Sequence, residues 1–462
     1  MILRPYQLED VISLRPHPTH GIFNEQRTGK TPTSLVAISE KVAGRIVIVS
    51  TASMLYVWEE ESIRWTRRPT FVFAGKNRED AFFDWGTTPN AVLILSYDMF
   101  KTVSSRAGMV DKILKAKPEG LIVDEAHRAV GRKTANFKAL ARMRNVPCRL
   151  YLTGTPAPSH PSQVWSLLHF IDPKTYSSYW QFVESFFNMD EQRLPYHVQL
   201  TSGVNSIQEP TTFKSPALRD VYTSILAQHS IMRKRKDVMP WLPPATQPRR
   251  IRLHPTASLC THIDKLNKFF KIGDLRVQGI LDQLLRTRQL LVDPKLVGVN
   301  ITSVKTDWLC TFYKEYDTAS IIIFSRFTQY LRNVQEALTK KGATVGLIVG
   351  GVSPSVRKSL LDDFQSDRLK ILLIQIDAGK EGLTLDNADY LIFTDIYPPA
   401  SDILQARDRI VATSEARVKP TEIIELVMAD TYDECLYDMV ESGISETDIA
   451  NNYIHYLKGG IT

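Results

Sequence analysis

Long apolar runs are missing from this 462-residue chain. The most apolar stretches, residues 46–49, 91–95, 321–324 and 371–374, have the length of strands. They fall far short of the roughly 20 residues that cross a bilayer, so no membrane span is expected. The opening MILRPYQLED meets acidic residues almost at once and has no apolar core, so a secretory signal is not expected either. Cysteine is scarce: Cys148, Cys260, Cys310 and Cys435 are scattered and never at metal-ligand spacing, and the ten histidines are as dispersed. Plain thiols in a reducing compartment fit this usage, and no zinc site is visible. No tandem repeat or low-complexity tract occurs. Neither sign of charge dominates: 57 Lys and Arg stand against 50 Asp and Glu, and the resulting +7 permits a nucleic-acid partner without requiring one. With 43% apolar and 23% charged residues, disorder is excluded for most of the chain.

What is present has a rhythm. Apolar runs recur at 46–49, 91–95, 121–123 and 149–152, separated by stretches long enough for helices. The rhythm returns at 321–324, 344–348, 371–374, 390–393 and 423–427. Continuous apolar strands alternating with helices predict parallel sheets covered on both faces. The expected fold class is therefore α/β, with two doubly wound parallel-sheet domains. The stretch between them has few strand-like runs and many aromatic and polar residues, and it carries the basic cluster 233–236. Residues 266–291 show helical apolar spacing. The expected boundaries are 1–165 for the first lobe, 166–300 for a mostly helical insertion and linker, and 301–462 for the second lobe.

The sharpest local signal is Asn24-Glu25-Gln26-Arg27-Thr28-Gly29-Lys30-Thr31, following Ile22-Phe23. A nucleoside triphosphate needs backbone N–H groups curled around its phosphates, a lysine on the terminal oxygens and a hydroxyl on the magnesium ion. Gly29 allows close backbone approach, Lys30 brings the charge, and Thr31 brings the hydroxyl at a helix start, with Pro32 suited to a first turn. Asn24 stands where this loop pattern usually opens with glycine. A second signal decides the reading. The apolar run Leu121-Ile122-Val123 ends directly in Asp124-Glu125-Ala126-His127. An aspartate at the carboxyl end of a parallel strand can reach the metal, and the next glutamate can polarise the attacking water.

Together with Thr153-Gly154-Thr155-Pro156, these segments resemble motifs I, II and III of superfamily 2 helicases and translocases. The resemblance runs along most of the chain. Leu3-Arg4-Pro5-Tyr6-Gln7 is similar to the Q-motif, which implies that Gln7 reads adenine. Ser53-Met54-Leu55 with Trp58 and Glu61 resembles motif Ia of the Swi/Snf-like branch, and Ser96-Tyr97 resembles its motif Ib. The segments 231–238 with Leu242-Pro243-Pro244, and Arg288-Gln289-Leu290-Leu291 with Asp293-Pro294, are similar to stretches typical of that branch. Ile323-Phe324-Ser325-Arg326-Phe327 resembles motif IV, residues 377–385 resemble motif V, and Gln405-Ala406-Arg407-Asp408-Arg409 resembles the start of motif VI.

The resemblance implies two RecA-like lobes, with ATP and magnesium as cofactors. Lys30, Asp124, Glu125 and Arg409 are expected to carry catalysis. Gln7, Arg27, Thr28, Gly29, Lys30, Thr31, Gly382, Gln405 and Arg409 would hold the nucleotide, and Thr31 and Asp124 the metal. Ser53, Ser96, Tyr97, Arg326, Lys380 and Thr384 would contact nucleic acid. The implied activity is ATP-dependent translocation on duplex DNA with remodelling of forked or branched DNA. An RNA helicase and a catalytically weak DNA-binding motor subunit are the alternatives. No accessory chromatin-reading, nuclease or zinc module is visible. A monomer is expected, in the cytoplasm of a bacterium or a phage-infected host, with protein partners left open.

Some positions keep two readings. Trp58 reads as packed rather than stacked on a base. Tyr397 suits a base or backbone contact and core packing equally, Lys380 reads as a surface lysine or a phosphate contact, and the run 233–236 reads as a solvated basic face. The departure with most consequence is Ala412, where motif VI normally has a second arginine. Arg409 suffices alone, another arginine such as Arg417 replaces the missing one, or turnover is impaired. Ala412→Arg is expected to raise nucleic-acid-stimulated ATPase; an unchanged or lower rate would mean that the site is completed differently.

Overall fold

In the computed structural model the chain forms two compact units, Met1–Gln192 with Gln208–Pro240 and Arg193–Ile207 with Trp241–Thr462. The structure describes residues 2–102, 108–158, 160–188, 192–193, 206–207, 212–240, 247–269, 271–272, 275–276, 279–379, 387–397, 403, 407, 421–441 and 446–457. Among them, no helix is long and apolar enough to cross a membrane.

The first unit is built on a seven-stranded sheet. Its strands are β1 (Thr19–Ile22), β2 (Ile46–Ser50), β3 (Thr70–Val72), β4 (Val92–Ser96), β5 (Gly120–Val123), β6 (Cys148–Leu152) and β7 (Ser230–Ile231), in the order β3-β4-β2-β5-β6-β1-β7. Every pairing is parallel. The two-residue period of a strand sorts the apolar runs into two layers. Val47, Val49, Leu93, Leu95, Leu121 and Val123 enter one core, and Ile46, Ile48, Val92, Ile94 and Ile122 enter the other. The second layer is closed by α1 (Pro5–Leu14), α2 (Lys30–Lys41) and α3 (Leu55–Thr66), through Val11, Leu14, Leu35, Ile38, Leu55 and Trp58. Because both faces are covered, the central strands tolerate apolar residues at every position.

The second unit repeats the scheme. Strands β8 (Arg249–Leu253), β9 (Ile321–Ser325), β10 (Val345–Ile348), β11 (Ile371–Gln375), β12 (Tyr390–Phe393) and β13 (Glu422–Met428) form a six-stranded sheet in the order β8-β13-β12-β9-β11-β10. All of its pairings are parallel. Ile322, Phe324, Leu372, Ile374 and Leu391 face one core, and Ile321, Ile323, Ile371, Leu373 and Ile392 face the other.

The two α/β parallel-sheet domains match expectation, but the stretch 166–300 is not a separate helical insertion. It is divided between the units. The helices Val164–Ile171, Tyr179–Phe186 and Pro216–His229 bury Trp165, Phe170, Phe182, Phe186 and Tyr222 in the same core layer as Val47 and Val123. Rings such as Phe187 and Phe213, 4.7 Å apart, extend that core rather than start a new one. β7 then pairs with β1, and β8 opens the second sheet beside β13. Neither strand has an apolar run to announce it: β8 reads RRIRL, with Arg249 and Arg252 exposed and Arg250 half-buried. The helical pattern at 266–291 is also interrupted. One helix ends at Phe269, an antiparallel ladder pairs Lys271–Ile272 with Leu275–Arg276, and the next helix begins at Ile280 after Gly279, whose φ is +101°.

A buried charge ties the second sheet to its helices. The Lys305 ammonium, fully buried, donates to the Thr394 carbonyl and to Asp433 Oδ2, each at 2.7 Å, and the same oxygen accepts the Met428 N–H at 2.9 Å. Removing one partner strands the other charge in a dry interior. Lys305→Met should therefore destabilise this unit by about 3–5 kcal/mol in chemical denaturation, and adding Asp433→Leu should recover most of that loss.

Candidate nucleotide-binding and hydrolysis site

Since every strand of the first sheet runs the same way, the segments leaving their carboxyl ends share one edge. Along it, Tyr97 follows β4, Thr51 follows β2, Asp124 follows β5, Thr153 follows β6, Asn24 lies just beyond β1, and Arg233 just beyond β7. Sheet order thus brings together motif segments that lie up to about 200 residues apart in the chain.

The loop between β1 and α2 has the form expected for a phosphate cradle. Gly29 precedes α2 with φ +78°, and a Cβ there would meet Gln7 Nε2 at 2.0 Å, so any other residue would be strained and would displace Gln7. α2 begins at Lys30, with Thr31 and Pro32 in its first turn. The N–H groups of that turn have no acceptor within the helix, and they form an anion cradle together with the positive end of the helix dipole. The Lys30 ammonium lies across the loop, donating to the carbonyls of Asn24 at 2.9 Å and Glu25 at 3.1 Å. Gln7, expected at the adenine, is buried; its amide nitrogen donates to the Thr28 carbonyl at 3.2 Å, and its oxygen accepts the Arg4 N–H at 2.9 Å. Tyr6 donates to the same Thr28 carbonyl at 2.9 Å, so the Q-motif segment and the loop are one hydrogen-bonded body. Arg27 has φ +63°, and the buried Thr28 hydroxyl donates to the Glu25 carbonyl at 2.7 Å.

Asn24 has a structural answer. Its amide nitrogen donates to Asp10 Oδ2 at 2.8 Å, and its amide oxygen accepts the Arg233 N–H at 2.8 Å. Arg233 returns to Asp10 Oδ1 at 2.8 Å. A glycine at 24 could not bridge these groups. The same network corrects the reading of 233–236 as a solvated basic face: Arg233 is half-buried and pairs with fully buried Asp10, while Lys234 and Lys236 are exposed.

The acidic pair stands at the end of β5. Asp124 Oδ2 accepts two hydrogen bonds of 2.8 Å, from the Ser50 hydroxyl and the Trp58 indole N–H, and Oδ1 accepts the Glu125 N–H at 3.0 Å. Glu125 sits in the left-handed region at φ +47°, a conformation costly for a residue other than glycine. His127 Nδ1 lies 3.0 Å from the Thr153 hydroxyl and 3.3 Å from Glu125 Oε2, which joins motif II to motif III. Burial, followed by the neighbouring Glu125 charge, pushes the Asp124 carboxyl up to about 6. For a divalent ion the donor set is hard: the Asp124 carboxylate and the Thr31 hydroxyl suit magnesium. Among the described residues, no group of three or more His, Cys, Asp or Glu could hold a metal. A magnesium ion here fits only in company with phosphate oxygens and water.

Two residues expected at nucleic acid are buried and bonded within the protein. Tyr97 is 4% exposed, and its hydroxyl donates to the carbonyl of Asp124 at 2.8 Å and, more weakly, to that of Glu125 at 3.2 Å. Ser96 is buried and caps the short helix Tyr97–Phe100 through the Met99 N–H. Tyr97 braces the acidic pair from within, and Ser96 holds the short helix that carries Tyr97. Ser53 is half-buried on the 3₁₀ turn Ala52–Met54, with its hydroxyl 3.2 Å from that of Thr51. Trp58 is packed, as expected, and it also bonds Asp124, which the sequence does not announce. Nothing local signals that bond; it needs β2 beside β5.

In the second unit, the half-buried Arg326 donates to the Tyr397 carbonyl at 2.9 Å, and its backbone N–H donates to the Asp395 carboxylate. The guanidinium of Arg288 stacks 3.8 Å from the Tyr397 ring, which favours packing for that tyrosine. Arg407 joins Arg250 on Glu425, a fully buried carboxylate. Lys380, Gly382, Thr384, Gln405, Arg409 and Ala412 lie outside the described residues.

Comparison with known proteins adds kinship to this geometry. The family model described as SNF2-related domain matches residues 12–257, and the Helicase conserved C-terminal domain matches residues 304–412. The chain is 24% identical over 433 residues to the SWI/SNF-related matrix-associated actin-dependent regulator of chromatin subfamily A-like protein 1 of Xenopus laevis, covering 92% of this chain and 41% of that protein. It is 23% identical over 449 residues to the DNA annealing helicase and endonuclease ZRANB3 of Mus musculus, covering 95% of this chain and 39% of that protein. The chain thus spans less than half the length of either relative. The Hef helicase domain of Pyrococcus furiosus shares the fold, with a TM-score of 0.53 at 16% identity, covering 94% of this chain and 97% of that one.

The raised Asp124 carboxyl sets a direction for stability. Its folded value, about 6, lies above the ordinary 3.8, so its contribution is full at low pH and is lost as pH rises through about 6. Without nucleotide, Asp124→Asn should be the more stable protein at pH 8, by on the order of 1–3 kcal/mol, and the advantage should vanish toward pH 4. Denaturant midpoints measured across that range check it; parallel curves would mean that the carboxylate is not strained.

Proposed function

The chain belongs to the SNF2-related family of helicase-type ATPases, and from that premise we propose that it hydrolyses ATP to translocate along duplex DNA. The proposal extends to remodelling forked or branched DNA in replication, recombination or repair. The observation that carries it is the frame around Lys30, Asp124 and Glu125. There a lysine at a helix N-terminus faces an acidic pair braced by Trp58 and Tyr97, both from segments resembling the nucleic-acid motifs.

In this reading Lys30 and the first turn of α2 hold the triphosphate. Asp124 and Thr31 would hold magnesium, whose charge would offset that of the transferred phosphoryl group. Glu125 orients and polarises the attacking water, with His127 fixing its carboxylate. Arg409 is the arginine assigned to the transferred phosphoryl. The net charge of +7 suits phosphate contacts that follow a backbone rather than read bases. Support for DNA comes from the family and from relatives named as chromatin regulators and a DNA annealing helicase. The last name also supports the branched substrate.

The test is ATPase rate with forked, four-way and linear duplex DNA and with RNA, using Lys30→Ala as the blank. DNA should stimulate, branched forms should exceed linear duplex, and Lys30→Ala should lose at least about a hundredfold in kcat. Equal rates on the three DNA forms would remove the branched-substrate claim, and stimulation by RNA alone would replace DNA.

A further inference from the structure

Trp58 occupies an unusual position for a core residue. Its ring is fully buried among Leu55, Val92 and Ile94, on the second turn of α3. A buried indole N–H needs an acceptor, and a backbone carbonyl would ordinarily serve. Here it takes an oxygen of the acidic group assigned to the metal, Asp124 Oδ2 at 2.8 Å. Ser50 takes the same oxygen, also at 2.8 Å. With both bonds on Oδ2, the carboxylate cannot rotate freely, and Oδ1 stays on the side of the Glu125 N–H.

The two donors differ in what lies behind them. Ser50 belongs to β2, which pairs directly with β5, so it is part of the rigid sheet. Trp58 belongs to α3, and α3 is entered through the turn Ala52–Met54, which carries Ser53 at the segment resembling motif Ia. No strand pairing holds that turn. The indole therefore joins the turn to the metal-side carboxylate over a span of a few residues.

We infer that Trp58 is a positioning residue with two effects: it orients the Asp124 carboxylate for the divalent ion, and it carries movement of the turn 52–54, caused by bound nucleic acid, to that carboxylate. The inference rests on the proposed function for its nucleic-acid half and on the geometry alone for its metal half. It makes Trp58 and Ser50 separable. Either loss leaves Oδ2 with one donor, but only loss of the indole N–H removes the bond that comes from the helix beyond the turn; the Ser50 bond comes from the paired strand before it.

The experiment uses the full chain in three forms, wild type, Trp58→Phe and Ser50→Ala. Mn²⁺ binding is read by electron paramagnetic resonance with a non-hydrolysable ATP analogue, and ATPase is read with and without saturating duplex DNA. Trp58→Phe and Ser50→Ala should each weaken Mn²⁺ binding about tenfold, at the lower end of what outer partners of metal-binding groups contribute. The ratio of DNA-stimulated to basal ATPase should collapse in Trp58→Phe and stay near wild type in Ser50→Ala, with DNA affinity unchanged in both. Unaltered Mn²⁺ binding in Trp58→Phe would overturn the positioning role. An equal loss of stimulation in both variants, or in neither, would overturn the link. A wild type without DNA stimulation would defeat the functional reading while leaving the Mn²⁺ result to judge the positioning role. Should Trp58→Phe fail to fold, 3-benzothienylalanine at this position keeps the bicyclic ring without the N–H and carries the same comparison.

Discussion

The parallel register of the first sheet is the constraint from which the site follows. Only when β4, β2, β5, β6, β1 and β7 all run the same way do the segments after them leave from one edge. Parallel strands need crossovers of a dozen or more residues, and helices supply them while covering both faces. The apolar strands, the two core layers and the crowded polar edge are therefore one solution to one problem. Reversing a central strand would bury its polar end and scatter the loops to opposite sides.

At that edge, charge is placed against the preference of the interior. Asp124 is pressed upward by burial and by Glu125, and two neutral donors, an indole and a hydroxyl, offset part of the cost. Glu125 adds backbone strain, and Tyr97 binds the carbonyls of both residues. Backbone strain beside a buried charge, at the end of a strand otherwise made of aliphatic packing, marks where chemistry rather than stability has set the residues. Elsewhere the interior also holds ion pairs, Lys305 with Asp433 and Glu425 with Arg250 and Arg407, in which each carboxylate has its cation in place.

The basic cluster shows how a sequence feature changes meaning once its neighbours are known. Arg233 looks like a surface charge in a run of four. In the fold it is the keystone between β7, α1 and the phosphate loop, bonded to Asp10 while its backbone N–H meets Asn24. This makes Asn24 a bridging residue rather than a degraded glycine, and it explains why the segment after 166 belongs partly to the first unit.

The sequence by itself determined the fold class, nine of the thirteen described strands of the two parallel sheets, the loop before α2 and the acidic pair after β5. Each of these depends on local pattern: apolar runs, a glycine and lysine before a helix, carboxylates directly after a strand. The strands of those sheets it left out, β1, β3, β7 and β8, are short or polar; β3, β7 and β8 lie at sheet edges, and β1 lies next to one. Tertiary structure alone decided which segments are neighbours, and so the roles of Trp58, Tyr97, Asn24 and Arg233. Their hydrogen bonds join residues from 14 to 223 positions apart. No periodicity reports a contact of that kind, because its geometry exists only after β2 has paired with β5 and β7 with β1.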